Sequence, residues 1–368
     1  MKVCILFAVA MLFASAVRAE DPWHLQEPLW SSKTIHGESV LFLQTDKAAP
    51  PNARLLLPIE KVIKVSRADG TQTFEEGKDY ILHAAEGRLE LPAGSRILSL
   101  NADELFPPAG APRSIDHKAE DPTRSVLFDN GHWFHDHQVE VTYEPAEPWK
   151  GYRPERADKY LPRTLAKLNR GEPLTIGVSG DSITCGANAS GVTSVPPKQP
   201  GYAQLVADSL QHTFGSKVSL FNRAEGGWRV ENGLTDLPKL LETKPDLLIL
   251  AYGMNHVGGR DAEGFRKLTG TMIDHIREAN ADIEIILVAP MHGNHRWVHT
   301  PAGEFPLHRD VIASFVGPGI AMADLTTLWG QMLERKRDSD LTGNGVNHPN
   351  DFGHRLYAQT ILGLLSKK

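Results

Sequence analysis

A three-layer α/β/α domain on a parallel sheet, preceded by a small all-β, sandwich-like domain, is the fold class this sequence predicts. Three observations carry it. Apolar runs of strand length recur through the C-terminal part, separated by stretches that can hold helices. The N-terminal part instead shows short β-branched or apolar runs broken by turn signals, without long helical periodicity. The 368 residues also give room for two domains.

The elements follow in order. Lys2, the apolar run from Val3 to Phe13, and Ala14, Ser15, Ala16, Val17 and Ala19 make the pattern of a cleaved export signal over residues 1–19. The run is short for a membrane span; the alternative is a buried N-terminal strand or helix. A secreted or periplasmic protein is therefore expected, with no membrane insertion after signal cleavage. Residues 20–148 hold the strand-like runs Ser39–Leu43, Val62–Ser66, Tyr80–His83 and Arg88–Leu91. Turns at Asp69-Gly70, Glu76-Gly77 and Pro92-Ala93-Gly94 separate them. Pro145, Pro148 and Pro154 mark the connection to the second domain, residues 149–368.

There, Leu174–Val178, Val218–Phe221, Leu247–Ala251 and Ile283–Ala289 read as strands apolar throughout, as expected of a sheet covered on both faces. Tyr202, Leu205, Val206, Leu210 and Phe214 share one helical face, stopped by Gly215. Phe265, Leu268, Met272 and Ile276 share another, and a last helix is expected from about His354 to Leu365. In such sheets ligands bind beyond the carboxyl ends of the strands.

Composition narrows the function classes. A net charge of −6 offers little to a phosphate backbone, so no nucleic-acid partner is expected. Two cysteines, Cys4 within the signal and Cys185, cannot build a disulfide framework or a thiolate-rich zinc site. His292, His295, His299 and His308, with Trp297 among them, suit a substrate wall or lid; without HExxH-type spacing, no metal or cofactor is expected. His132, His135, Asp136 and His137 read as a solvated turn, Cys185 as a small buried side chain on a helix, and Asp338-Ser339-Asp340 as solvated surface.

Chemistry-bearing residues follow the strands. Ser182, in Gly180-Asp181-Ser182-Ile183, sits where a nucleophile or an N-cap serine would sit. Gly226-Gly227 allows close backbone approach and frees N–H donors. Asn255 carries a side-chain amide able to face an anion, and His348, before Pro349, can serve as a general base. Each alone is an ordinary turn residue; their joint placement at one sheet edge is the signal.

In this order and spacing the four blocks resemble the GDSL/SGNH hydrolase family. Gly180-Asp181-Ser182-Ile183 resembles its first block and Asn222–Gly227 its second, with Ala224 where Gly is common. Gly253-Met254-Asn255 resembles the third and His348-Pro349 the last. The resemblance runs from about Leu174 to the C-terminus and implies a flavodoxin-like three-layer domain. It implies Ser182 as nucleophile and His348 as base, with an oxyanion hole from the Ser182 and Gly227 N–H groups and the Asn255 amide. Two positions depart from it. Gly345 stands where an Asp usually precedes the histidine, leaving Asn344, a backbone carbonyl or, as fallback, Asp340 to orient the ring. His256 stands where the third block often ends in Asp, and suits a packed or solvated role.

The resulting expectation is a secreted serine esterase acting on small acyl, foremost acetyl, esters of a small molecule or an acetylated polysaccharide. Two alternatives are an inactive carbohydrate-binding or cell-surface protein on the same scaffold, and a lipase or lysophospholipase.

Overall fold

The computed structural model describes residues 21–367, so the expected export signal at 1–19 lies outside the described residues. Three antiparallel strands, β1 (Ile35–Val40), β2 (Ile59–Arg67) and β3 (Val139–Pro145), form a sheet in the order β1-β3-β2. A second N-terminal sheet runs Ile81–His83, Arg88–Glu90, Asn52–Arg54, Phe42–Gln44, Ser99–Asn101. Val40 and Val141 of the first sheet and Phe42 and Leu89 of the second belong to one buried cluster, so the two sheets share a core.

The chain then enters α1 (Pro162–Asn169), whose Pro sits at the first position, where a missing N–H costs nothing. β4 (Leu174–Gly180), β5 (Val218–Asn222), β6 (Leu247–Ala251), β7 (Glu284–Ala289) and β8 (Ile320–Asp324) follow, all parallel, in the order β5-β4-β6-β7-β8. Side chains alternate across this sheet. Leu247, Ile249, Ile286 and Val288 face α1, α2 (Tyr202–Phe214), α6 (Leu325–Leu333) and α7 (Asp351–Leu364). Leu248, Leu250, Ile285 and Leu287 face α3 (Val230–Leu241), α4 (Ala262–Ala279) and α5 (Glu304–Ala313). Both faces are covered, at about 1.5–3 kcal/mol for each fully buried aliphatic side chain. Among the described residues no helix is long and apolar enough to cross a membrane.

The core on the α2/α7 face continues into the N-terminal sheets. A buried polar seam runs beside it. Lys336 Nζ meets Glu38 at 2.7 Å and donates to the Ser39 and Arg54 carbonyls. Asn350 Nδ2 donates to Ser39 Oγ and Gln138 Oε1.

Several sequence expectations need correction. Trp133–His137 is a one-turn helix that buries Phe134 and His135, not a solvated turn. Ser339 and Asp340 are buried in the seam, where Asp340 accepts the Leu41 N–H, so the patch is not solvated surface. His308 lies buried on α5 instead of lining a loop. The weakly β-forming Ile320–Asp324 run escaped notice because Ala and Met dilute its strand signal.

Candidate active site

The site is built where β4, β6 and the loop before α7 end on one edge. Past β4 the Asp181 carbonyl accepts the N–H groups of Thr184 and Cys185, and its carboxylate accepts that of Ile183 at 3.0 Å. This winds the chain tightly and points Ser182 outward. Consecutive turns follow, not the expected helix, and Cys185 is exposed, with its thiol 3.1 Å from the Ala224 carbonyl.

His348 Nε2 lies 2.9 Å from Ser182 Oγ. Its Nδ1 lies 2.8 Å from Asn188 Oδ1. Asn188 Nδ2 donates to the Gly131 and Gly343 carbonyls at 2.9 and 3.2 Å. Two carbonyls accept only, so the amide nitrogen must face them and the oxygen must face the ring. Nδ1 therefore carries the proton, and Nε2 presents its lone pair to the serine hydroxyl. Burial, then the neighbouring His354, lowers the His348 pKa to about 4, which leaves the imidazole neutral at neutral pH. Burial also pushes the Asp181 carboxyl up to about 7.

Asn344 does not orient the ring. Its Oδ1 accepts the N–H groups of Val346, Asn347 and His348 at 2.9–3.0 Å, so it shapes the loop that carries His348. Asp340 binds the Leu41 and Arg337 N–H groups instead. Gly345 has φ +81°, and a Cβ there would strike Phe134 Cζ and come within 2.6 Å of the Leu127 carbonyl. The N-terminal region thus fills the space an Asp side chain would need. Asn188 is the residue sequence reasoning missed. Its signal was a lone amide among small residues six positions past Ser182, at φ +61°, where Asn is one of the few tolerant side chains.

Opposite the histidine, Gly227 takes φ +78° in the turn after β5. Asn222 Nδ2 donates to the Thr184 carbonyl at 2.7 Å, and the Glu225 N–H to the Gly180 carbonyl, which holds this turn beside Ser182. Asn255 Nδ2 donates to the Trp228 carbonyl at 3.0 Å, leaving its second N–H free. Among the described residues the Ser182 and Gly227 N–H groups have no acceptor. His256 is buried against Phe265, with Nε2 3.3 Å from Glu231, and supports the Asn255 turn from behind.

The GDSL-like Lipase/Acylhydrolase family matches residues 178–356. The match falls on the α/β part of this chain, which is similar to that family. This domain is similar to several solved structures. One is a two-domain esterase active on acetylated mannans, co-crystallized with mannopentaose: 21% identity, TM-score 0.46, covering 58% of this chain and 55% of that one. The chain thus spans about half the length of that protein. An acetyl xylan esterase from Geobacillus stearothermophilus matches at 17% identity and TM-score 0.42, covering 52% of this chain and 94% of the other. A lipase/acylhydrolase from Enterococcus faecalis matches at 23% and 0.41, covering 51% and 93%. No curated protein sequence matches the chain.

Proposed function

We propose that this chain is an exported serine esterase that removes short acyl groups, acetyl foremost, from a carbohydrate. The Ser182–His348–Asn188 relay carries the reading. Ser182 Oγ attacks the ester carbonyl carbon while His348 Nε2 takes its proton. The oxygen charge that develops falls to the Ser182 and Gly227 N–H groups and the free N–H of Asn255. The carbon–oxygen bond to the alcohol breaks, and His348 returns the proton to the leaving oxygen. Water then attacks the acyl-serine by the same route, releasing the acid and the free hydroxyl. Asn188 keeps the Nδ1 proton in place throughout, without the negative charge a carboxylate would bring.

The turn beside the nucleophile, Ala224-Glu225-Gly226-Gly227, is small or polar, which favours a short acyl group over a long apolar chain. The segments that contact Asn188 and Asn255 carry Gly131-His132 and Trp228-Arg229, a polar and aromatic set suited to a hydroxylated carrier. The export pattern at residues 1–19 supports an extracellular carrier.

The experiment has two parts. A serine-directed phosphonate should modify Ser182, and a Ser182→Ala variant should stay unlabelled. Acetate release from acetylated xylan and mannan should exceed hydrolysis of long-chain aryl esters. Absence of both labelling and ester hydrolysis would make the chain an inactive binding protein; long-chain preference would make it a lipase.

A further inference from the structure

Away from the hydrolase site, the first described turn of the chain brings three ligating side chains together. His24, Glu27 and His36 each offer one donor atom, all within 4.8 Å of one another. The two imidazole rings stack with centroids 3.8 Å apart and planes 3° from parallel. Glu27 Oε2 lies 2.7 Å from His36 Nε2. The backbone makes the meeting: the His24 N–H donates to the Asp21 carbonyl and the Glu27 N–H to the His24 carbonyl, folding the turn back on β1. There Ile35 points into the core and His36 outward.

We propose that His24, Glu27 and His36 bind a zinc-like divalent transition-metal ion that clamps the start of the chain to β1. Two neutral imidazoles and a carboxylate are a donor set that zinc favours, with a water able to complete a tetrahedron. Donors on zinc bonds of about 2.0–2.1 Å lie roughly 3.4 Å apart. Reaching that requires that the two rings leave their stack, which His24, exposed on its turn, can do against His36 on β1.

The surrounding charge is compatible with a cation. Asp21 adds negative charge beside His24. The nearby cation, Arg355, is already engaged by Glu140 at 3.1 Å and the Gly37 carbonyl at 2.7 Å. Gln359 on α7 donates to the His24 carbonyl at 3.3 Å, so a bound ion would fix the leading turn and β1 onto the helix that follows His348. The clamp is structural and is independent of the esterase reading.

Titration of the metal-free full chain tests it, with Zn2+ followed by calorimetry and Co2+ by visible absorption. One equivalent of Zn2+ should bind and raise Tm, and Co2+ should give the absorption of a low-coordinate site. His24→Ala and His36→Ala should each lose both signals, Glu27→Gln should weaken them, and His295→Ala, at an exposed histidine elsewhere, should keep them. If His36→Ala fails to fold, His24→Ala, on the exposed turn, decides. Absence of Zn2+ binding, or binding that survives the double His24→Ala/His36→Ala change, overturns the proposal.

Discussion

Ser182 is held by contacts that stay within the α/β half: the Asp181 turn, the turn after β5 and the Asn255 turn after β6. His348 is held across the two regions. The Gly131 carbonyl fixes Asn188, the Asp129 N–H donates to the Asn344 carbonyl, and Phe134 and Leu127 press on Gly345. The proposed nucleophile and its oxyanion donors are thus a local product of strand ends. The proposed base is a product of the interface, where residues 127–134 help to set its tautomer and position.

The strongest way to break this contrast is to cut the seam. Lys336→Met leaves Glu38 buried without its cation and should cost about 3–5 kcal/mol in denaturant unfolding. Hydrogen exchange should then rise first around residues 338–350 while β4 stays protected; equal loss at both places would show that the two sides are not distinct. Next, Gly345→Asp restores the family's usual acid on paper. The left-handed backbone and the collision with Phe134 should instead cost about 2–6 kcal/mol, with no gain in turnover.

A smaller effect comes from the ring's own partner. Asn188→Ala should lower kcat about 10²-fold with KM nearly unchanged, because the imidazole loses its fixed orientation. Asn188→Asp supplies charge but loses both donors to the Gly131 and Gly343 carbonyls, so it should recover little. Near wild-type turnover in Asn188→Ala would remove Asn188 from the relay.

The two sides should also differ in pH response. The folded His348 pKa, lowered to about 4, lies below the unfolded value near 6.5, so unfolded chains bind more protons between these limits and stability rises with pH there. The neutral base should persist into acid, with the low-pH limb of kcat/KM near 4. For Asp181, raised to about 7, the folded chain holds the extra proton from about 4 to 7, and stability falls with pH in that window. The slopes oppose each other, and Asp181→Asn should unmask the rise; an unchanged stability profile in that variant would contradict it.

The same asymmetry explains what could be read from the sequence. Leu247–Ala251 is apolar throughout because both faces are covered, and the residue types beyond β4, β5 and β6 carry their chemistry in their spacing. Nothing local says that Gly131 offers its carbonyl to Asn188, since that contact joins residues 57 apart through a backbone oxygen every residue possesses. Asp338-Ser339-Asp340 looks like surface for a related reason: its burial comes from β1 and the N-terminal sheets, hundreds of positions away. Cys185 failed in the opposite sense, exposed because consecutive turns replaced the helix that would have covered it.

The packing of Phe134 on Gly345 also constrains the order in which this active site can change. An acid at position 345 is harmful while Phe134 and the Leu127 carbonyl occupy its space. Shrinking Phe134 first would open a cavity in a small cluster with Leu41, Leu43 and Leu127. Each single step is therefore disfavoured, and the pair together still meets the Leu127 carbonyl and the left-handed backbone at 345. With sterics and backbone both against an acid at 345, the proposed amide-based relay is a locked-in solution, one that substitutions near Phe134 will preserve.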